Sequence, residues 1–239
     1  MDNLNLRKLF YLEPDITYLN HGSFGACPIE IMNQYFNLQI ALEKQPIDFL
    51  VNNIDQNLEK SRNSLSKFID CNLNDLVFFP NPSTALNTVI RSLNLKEGDE
   101  ILSTDHEYGA LDKTWKFICK KRGAKYIQQT IPLPLNSKEK FIEHFCKGLT
   151  DKTKIIFISH ITSPTALIFP VKEICKIAKN RGILSIVDGA HAPAQINLDL
   201  KNVNSDIYVG ACHKWMCSPK GTSFLYVKKE MQENIHPLV

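Results

Sequence analysis

Short apolar runs alternate along the chain with longer stretches in which apolar residues recur every three or four positions. Ile29 to Glu43 and Ile47 to Ile69 have the second pattern, with Pro46 between them, and predict two helices. "LVFF" (Leu76 to Phe79) then predicts a buried strand, and "TALNTVIRSL" a helix that Ser83 is placed to cap. The same unit recurs. "DEILST" is followed by a helix from Leu111 to Arg122 closed by Gly123, and "KYIQQT" by a helix running from Ser137 to Lys147-Gly148. "KIIFIS" precedes a helix from Val171 to Lys179 that ends at Arg181-Gly182, and the strands "ILSIVD", "DIYVG" and "SFLYV" complete the series. Apolar strands alternating with helices predict an α/β fold: a three-layer α/β/α arrangement around a mainly parallel sheet.

Composition narrows the class. The 239 residues, 44% hydrophobic and 22% charged, suffice for one large domain or a domain with an appendage. The net charge of +3 is dispersed. Its densest cluster, "CKKRGAK" (Cys119 to Lys125), has no interleaved aromatics and fits a solvated helix end, so no nucleic-acid partner is expected. Seven cysteines without a CxxC pair suggest reduced thiols. "MDNLNLRKLF" carries no signal-type apolar block, and no run approaches about 18 apolar residues. A soluble cytoplasmic protein without membrane association is expected. No internal repeat, Walker-type pattern or GxGxxG is present.

In parallel sheets ligands bind beyond the carboxyl ends of the strands, so chemistry is sought just past each one. After "LVFF", Pro82, Ser83 and Thr84 open a helix whose free N–H groups suit a phosphate, or simply form a cap. After "DEILST", Tyr108 is an aromatic able to cover a planar ring, while His106 reads as a surface-loop residue. After "KIIFIS", the hydroxyls of Thr162, Ser163 and Thr165 serve either a ligand or the turn itself. Asp188 closes an apolar strand; a carboxylate there requires a cation, from a lysine or arginine or from a ligand's protonated ring nitrogen. Lys214 lies 26 residues on, in the apolar surroundings of "YVGACHKWM", and both residues fall at one edge of the sheet. A desolvated lysine sheds its proton and becomes a usable nucleophile. With an aspartate for a pyridinium and a helix N-terminus for a phosphate, the ligand suggested is pyridoxal 5'-phosphate.

"YLNHGSFGACP", "NPSTALNTVIRSL", "DHEYGA", "SHITSPTALIFPV", "VDGAHA" and "HKWMCSPKGTSFLYV" occur in that order, and together resemble the class V aminotransferase family, most of all its isopenicillin-N epimerase-like members. The resemblance runs from about Tyr18 onward. It implies a fold type I pyridoxal-phosphate enzyme, with residues 1–45 as an N-terminal segment carrying a substrate-side loop and 46–239 as the large cofactor domain. It implies a Schiff base on Lys214 and a pyridinium contact from Asp188. Thr84, the backbone around Ser83, and His213 would hold the phosphate, and Tyr108 would stack on the ring. Ser163 and His191 would reach the phenolic oxygen, and Asn20 and His21 would line the substrate side.

Two departures bear on this. Ala211 stands where a serine or asparagine is usual, and Ser163 where cysteine desulfurases carry asparagine. The sequence stops at "ENIHPLV", so the expectation is a cofactor domain without the small C-terminal domain. The expected function is amino-acid chemistry at the α-carbon, epimerase- or aminotransferase-like, in a homodimer. Cysteine desulfurase or C–S lyase chemistry, or a cofactor-binding remnant without catalysis, are the alternatives; Cys212 and Cys217 read as packing residues.

Overall fold

A computed structural model describes residues 3–238; Met1, Asp2 and Val239, at the two ends of the expected segments, lie outside the described residues. Seven strands form one sheet: β1 (Leu76–Phe79), β2 (Glu100–Thr104), β3 (Lys125–Gln129), β4 (Thr153–Ser159), β5 (Leu184–Asp188), β6 (Ile207–Ala211) and β7 (Ser223–Val227). Their order is β1-β7-β6-β5-β4-β2-β3. The run from β6 to β3 is parallel, whereas β7 is antiparallel to both its neighbours. The sheet is thus mainly parallel, as the alternation predicts.

Strand alternation divides the core in two. Leu102, Ile156, Ile158, Val187, Tyr208 and Phe224 face one side, against α2 (Ile54–Phe68), α5 (Lys138–Cys146) and α6 (Val171–Asn180). Ile101, Ile155, Phe157, Ile186 and Val209 face the other, against α3 (Pro82–Ser92) and α4 (Gly109–Arg122). Each fully buried Ile or Phe contributes roughly 1.5–3 kcal/mol, so both faces are committed. The helices' positions follow from right-handed crossovers. The chain moves outward from β2 through α4 to β3, returns through α5 to β4 on the far side of β2, and continues through α6 to β5. The strand order therefore reverses between β2 and β4, and Thr104 and Ser159 end the two strands at that switch point. A crevice opens where connections diverge in this way.

Local chemistry sets the helix ends. Gly123 closes α4 in the left-handed conformation, φ 71°, beside the exposed Lys120, Lys121 and Arg122, whose charges complement the helix dipole. The helical stretch after Pro46 is not uniform: Asp48–Asn53 form a π turn before α2 begins at Ile54. Asn53 Nδ2 donates to the Asp48 carbonyl at 2.9 Å and so competes with the α-helical pairing there. The first helix, α1 (Ile29–Lys44), buries none of its residues, and Ile31, Tyr35 and Leu38 remain exposed.

The α3 cap differs from the sequence expectation. Asn81, not Ser83, is the N-cap: its Oδ1 accepts from Thr84 N at 2.8 Å, Pro82 takes the first helical position and Ser83 lies inside the first turn. Proline suits that first position because its missing N–H has no helical partner there, which moves the cap one residue ahead of it. Asn81→Ala is expected to lower stability by about 1 kcal/mol, whereas Ser83→Ala changes it by much less. Urea unfolding of the two variants measures the difference.

Candidate functional site

The carboxyl ends of β4, β5 and β6 and the N-terminus of α3 enclose a cavity of about 260 Å³. Asp188 ends β5 and is 5% exposed, with Oδ1 accepting from Ala190 N at 3.0 Å. Its other oxygen has no hydrogen-bond partner among the described residues, and the residue lines the cavity. The Gly189 that follows passes against the Tyr208 ring so closely that any Cβ would collide with it. No ion pair to Asp188 forms among the described residues, so the reading of Asp188 as half of a plain salt bridge fails. Burial raises its proton affinity, opposed by the Ala190 hydrogen bond and then by the charge of Lys214.

Lys214 lies on the connection from β6 to β7, tied at its base by Cys212 N and His213 N donating to the Thr222 carbonyl. Burial lowers its proton affinity, and Asp188 only partly restores it. The neighbours say the same through hydrogen positions. Trp215 Nε1, which can only donate, reaches His191 Nδ1 at 3.4 Å, so that nitrogen holds a lone pair. Burial, and then Lys214, push the His191 pKa down to about 4, so the ring is neutral and its hydrogen sits on Nε2. Nε2 is 3.1 Å from Lys214 Nζ, so in that tautomer its hydrogen lies beside the lysine nitrogen and adds nothing to hold a further proton there.

The other expected residues divide. Ser83, Tyr108, Ser163, His191 and His213 line the cavity with Asp188 and Lys214. Thr84 does not, and its amide is taken by Asn81; the α3 residues that reach the space are Pro82 and Ser83, of which Ser83 alone offers a hydroxyl and an N–H. Tyr108 is 46% exposed, its ring available to a ligand. His213 donates from Nδ1 to the Thr222 carbonyl at 2.8 Å; burial lowers its proton affinity, leaving a lone pair on Nε2. From the N-terminal loop the lining residues are Gly22, Ser23 and Phe24 rather than Asn20 and His21. Asn20 Oδ1 accepts from Ser23 N, and His21 Nδ1 from Ala26 N. Gly25 fixes that loop, since its amide donates to the His213 carbonyl at 2.9 Å and a Cβ would strike the Lys214 carbonyl.

His106 is not a surface residue. It is 7% exposed, with Nδ1 at 3.1 Å from Thr165 Oγ1 and Nε2 at 3.1 Å from the Ile131 carbonyl. The same Thr165 is 2.7 Å from Thr162 Oγ1, so the hydroxyls of this loop serve the turn, and Ser163 alone of the three faces the cavity. Sequence reasoning missed Ser159, Glu107 and Trp215. For Ser159 the strand-end rule was the available signal.

The profile of the family described as aminotransferase class-V matches residues 26–239, and the chain belongs to that family. It is 32% identical over 226 residues to isopenicillin N epimerase of Streptomyces clavuligerus, covering 95% of this chain and 57% of that protein. It is 28% identical to L-cysteine desulfhydrase of Arabidopsis thaliana, covering 94% of this chain and 53% of that one. The chain thus spans little more than half the length of these curated relatives. A solved complex of the cystine C–S lyase C-DES with its product cysteine persulfide superposes with a TM-score of 0.84 at 25% identity, covering 94% of this chain and 60% of that one. Apo cysteine desulfurase from Thermococcus onnurineus superposes with a TM-score of 0.81 at 22% identity, over 99% of this chain and 60% of that one, a likeness of fold. No helix among the described residues is long and apolar enough to cross a membrane.

Reductive methylation with formaldehyde and borohydride, mapped by mass spectrometry across pH, is expected to modify Lys214 at lower pH than an ordinary lysine side chain requires. Trp215→Phe removes the indole N–H that fixes the His191 tautomer, and is expected to move the Lys214 profile upward in pH.

Proposed function

We propose that this chain is the cofactor-binding part of a pyridoxal-phosphate-dependent enzyme that moves a proton at the α-carbon of an amino acid, as an epimerase or aminotransferase does. One observation carries the reading: a desolvated amine on Lys214, its proton affinity lowered by burial, and a buried carboxyl on Asp188 with a free oxygen face one cavity at the carboxyl ends of the strands. The donor set fits the cofactor. A buried carboxyl needs a cationic partner, and a ring N–H⁺ is one; a neutral amine is what condenses with an aldehyde.

Asp188 would hold the ring nitrogen and Lys214 the aldehyde carbon. Ser83, at the N-terminus of α3, would hold the phosphate with Thr84 beside it, and His213 would join them by gaining a proton. Tyr108 would cover the ring, with Ser163 and His191 near its phenolic oxygen. Pyridoxal phosphate, when bound, supplies a protonated ring that withdraws electrons from the substrate's α-carbon. Lys214 Nζ, its proton affinity lowered by burial, takes and returns the α-proton as general base. His191 keeps its hydrogen on Nε2, 3.1 Å from Nζ, and fixes the position of the lysine nitrogen. Gly22, Ser23 and Phe24, backed by Asn20 and His21, would meet the substrate and exclude water.

A second reading, C–S lyase chemistry, draws on the names of the desulfhydrase and C–S lyase relatives. It needs the same base and the same ring contact, followed by elimination. The seven free cysteines suit a reducing compartment such as the cytoplasm. The exposed apolar residues of α1 favour a homodimer, which light scattering of the purified chain tests; a monomer at high concentration would count against it.

Purified chain given pyridoxal phosphate is expected to gain a visible absorption band, and borohydride followed by peptide mapping to place the label on Lys214. Lys214→Ala should lose both, with α-proton exchange falling about 10²–10⁴-fold. Pyruvate release from cysteine, against racemisation without it, separates the two readings. A band that no amino acid shifts would leave a cofactor-binding remnant.

A further inference from the structure

Glu107 has no part in the roles above, yet it bridges the switch point. Thr104 Oγ1, ending β2, donates to its Oε1 at 2.7 Å, and Ser159 Oγ, ending β4, donates to its Oε2 at 2.5 Å. Glu107 is 6% exposed and forms no ion pair among the described residues. Of this trio only Ser159 lines the cavity, and in the β4–β5 register it pairs with Asp188. The titratable groups facing Glu107 are the carboxyl of Asp188 from the end of β5 and the phenol of Tyr126 from β3; neither brings a positive charge.

We propose that Glu107 is a positioning residue whose protonation state sets the direction of the Ser159 hydroxyl. Ionised, Glu107 draws the hydrogens of both Thr104 and Ser159, and Ser159 offers the cavity lone pairs only. Protonated from solvent, its own O–H donates to Ser159 Oγ, Thr104 continues to donate to the other oxygen, and the Ser159 hydrogen turns into the cavity. Ser159 then becomes a donor to whatever acceptor oxygen the bound molecule presents. Burial pushes the Glu107 pKa up to about 7, against the pull of the two hydroxyls and with a further rise from the Asp188 charge, so the switch falls near neutral pH. The identity of that acceptor rests on the cofactor reading; the coupling of Glu107 to Ser159 does not.

Two measurements separate these. In the chain without cofactor, a carboxyl that binds its proton more tightly when folded stabilises most at low pH. That stabilisation is lost as pH rises through the Glu107 pKa. Urea unfolding should therefore show the unfolding constant rising roughly 50-fold on this account between pH 5 and 8. E107Q should remove that share, leaving the dependence due to the other titratable groups, Asp188 among them. Ser159→Ala, which deletes a donor to the carboxylate, should move the transition to higher pH. With pyridoxal phosphate bound, the visible band of the native chain should titrate near pH 7. E107Q, whose amide N–H donates as the acid does, should stay at the low-pH spectrum, and Ser159→Ala at the high-pH one. The proposal is overturned if E107Q keeps the native pH dependence of unfolding, or if Ser159→Ala leaves the transition where it was. A native chain that never gains a visible band overturns the cofactor reading instead, and the unfolding series still decides for or against Glu107.

Discussion

Everything at the site depends on a buried carboxyl and a partly buried amine that share one edge of a sheet without forming an ion pair. Asp188 and Lys214 each lose hydration, and removing such ions from water costs several kcal/mol apiece. Direct contact would offset part of that cost, but the two form no ion pair. Each therefore moves toward neutrality, the acid up and the base down, with their mutual attraction the smaller influence. The parallel register of β5 and β6 keeps them at neighbouring strand ends, Asp188 opposite Val209.

The surroundings reinforce the same condition through hydrogen positions. The Trp215 indole N–H leaves His191 one place for its hydrogen, and that place points at Lys214. Gly25 lets the N-terminal loop press its backbone against the lysine's own carbonyl, which holds Gly22, Ser23 and Phe24 along the cavity. Sequence-distant segments thus meet at one amine, which is why the site belongs to the fold and to no single motif.

Most strands were legible because each is an apolar run bounded by helix starts, and Asp188 and Lys214 were legible because charge at the end of such a run is costly. Depth and direction were not. "DHEYGA" carries four polar side chains in a row, and nothing in the linear pattern says that His106 and Glu107 turn inward while Tyr108 stays in the open. The reversal of β7 depends on a hairpin connection long enough to suit either direction. A hydroxyl beside a helix start is a familiar cap signal and points to Ser83. Asn81 holds the α3 cap instead, since Pro82 takes the first helical position. The same substitution of neighbours explains why Gly22, Ser23 and Phe24, and not Asn20 and His21, form the wall.

The pairing of β1 has a consequence for synthesis. Leu76 is bonded across to Tyr226, so "LVFF" leaves the ribosome about 150 residues before its partner exists. At roughly 5–20 residues per second the nascent chain carries an unzipped apolar ribbon for about ten seconds or longer. During that interval β2 through β6 can assemble without it. β7, the seventh of the described strands, inserts between β1 and β6 and so attaches β1 as the edge of the sheet; a chain stalled before Ser223 exposes that ribbon to chaperones and to other nascent copies.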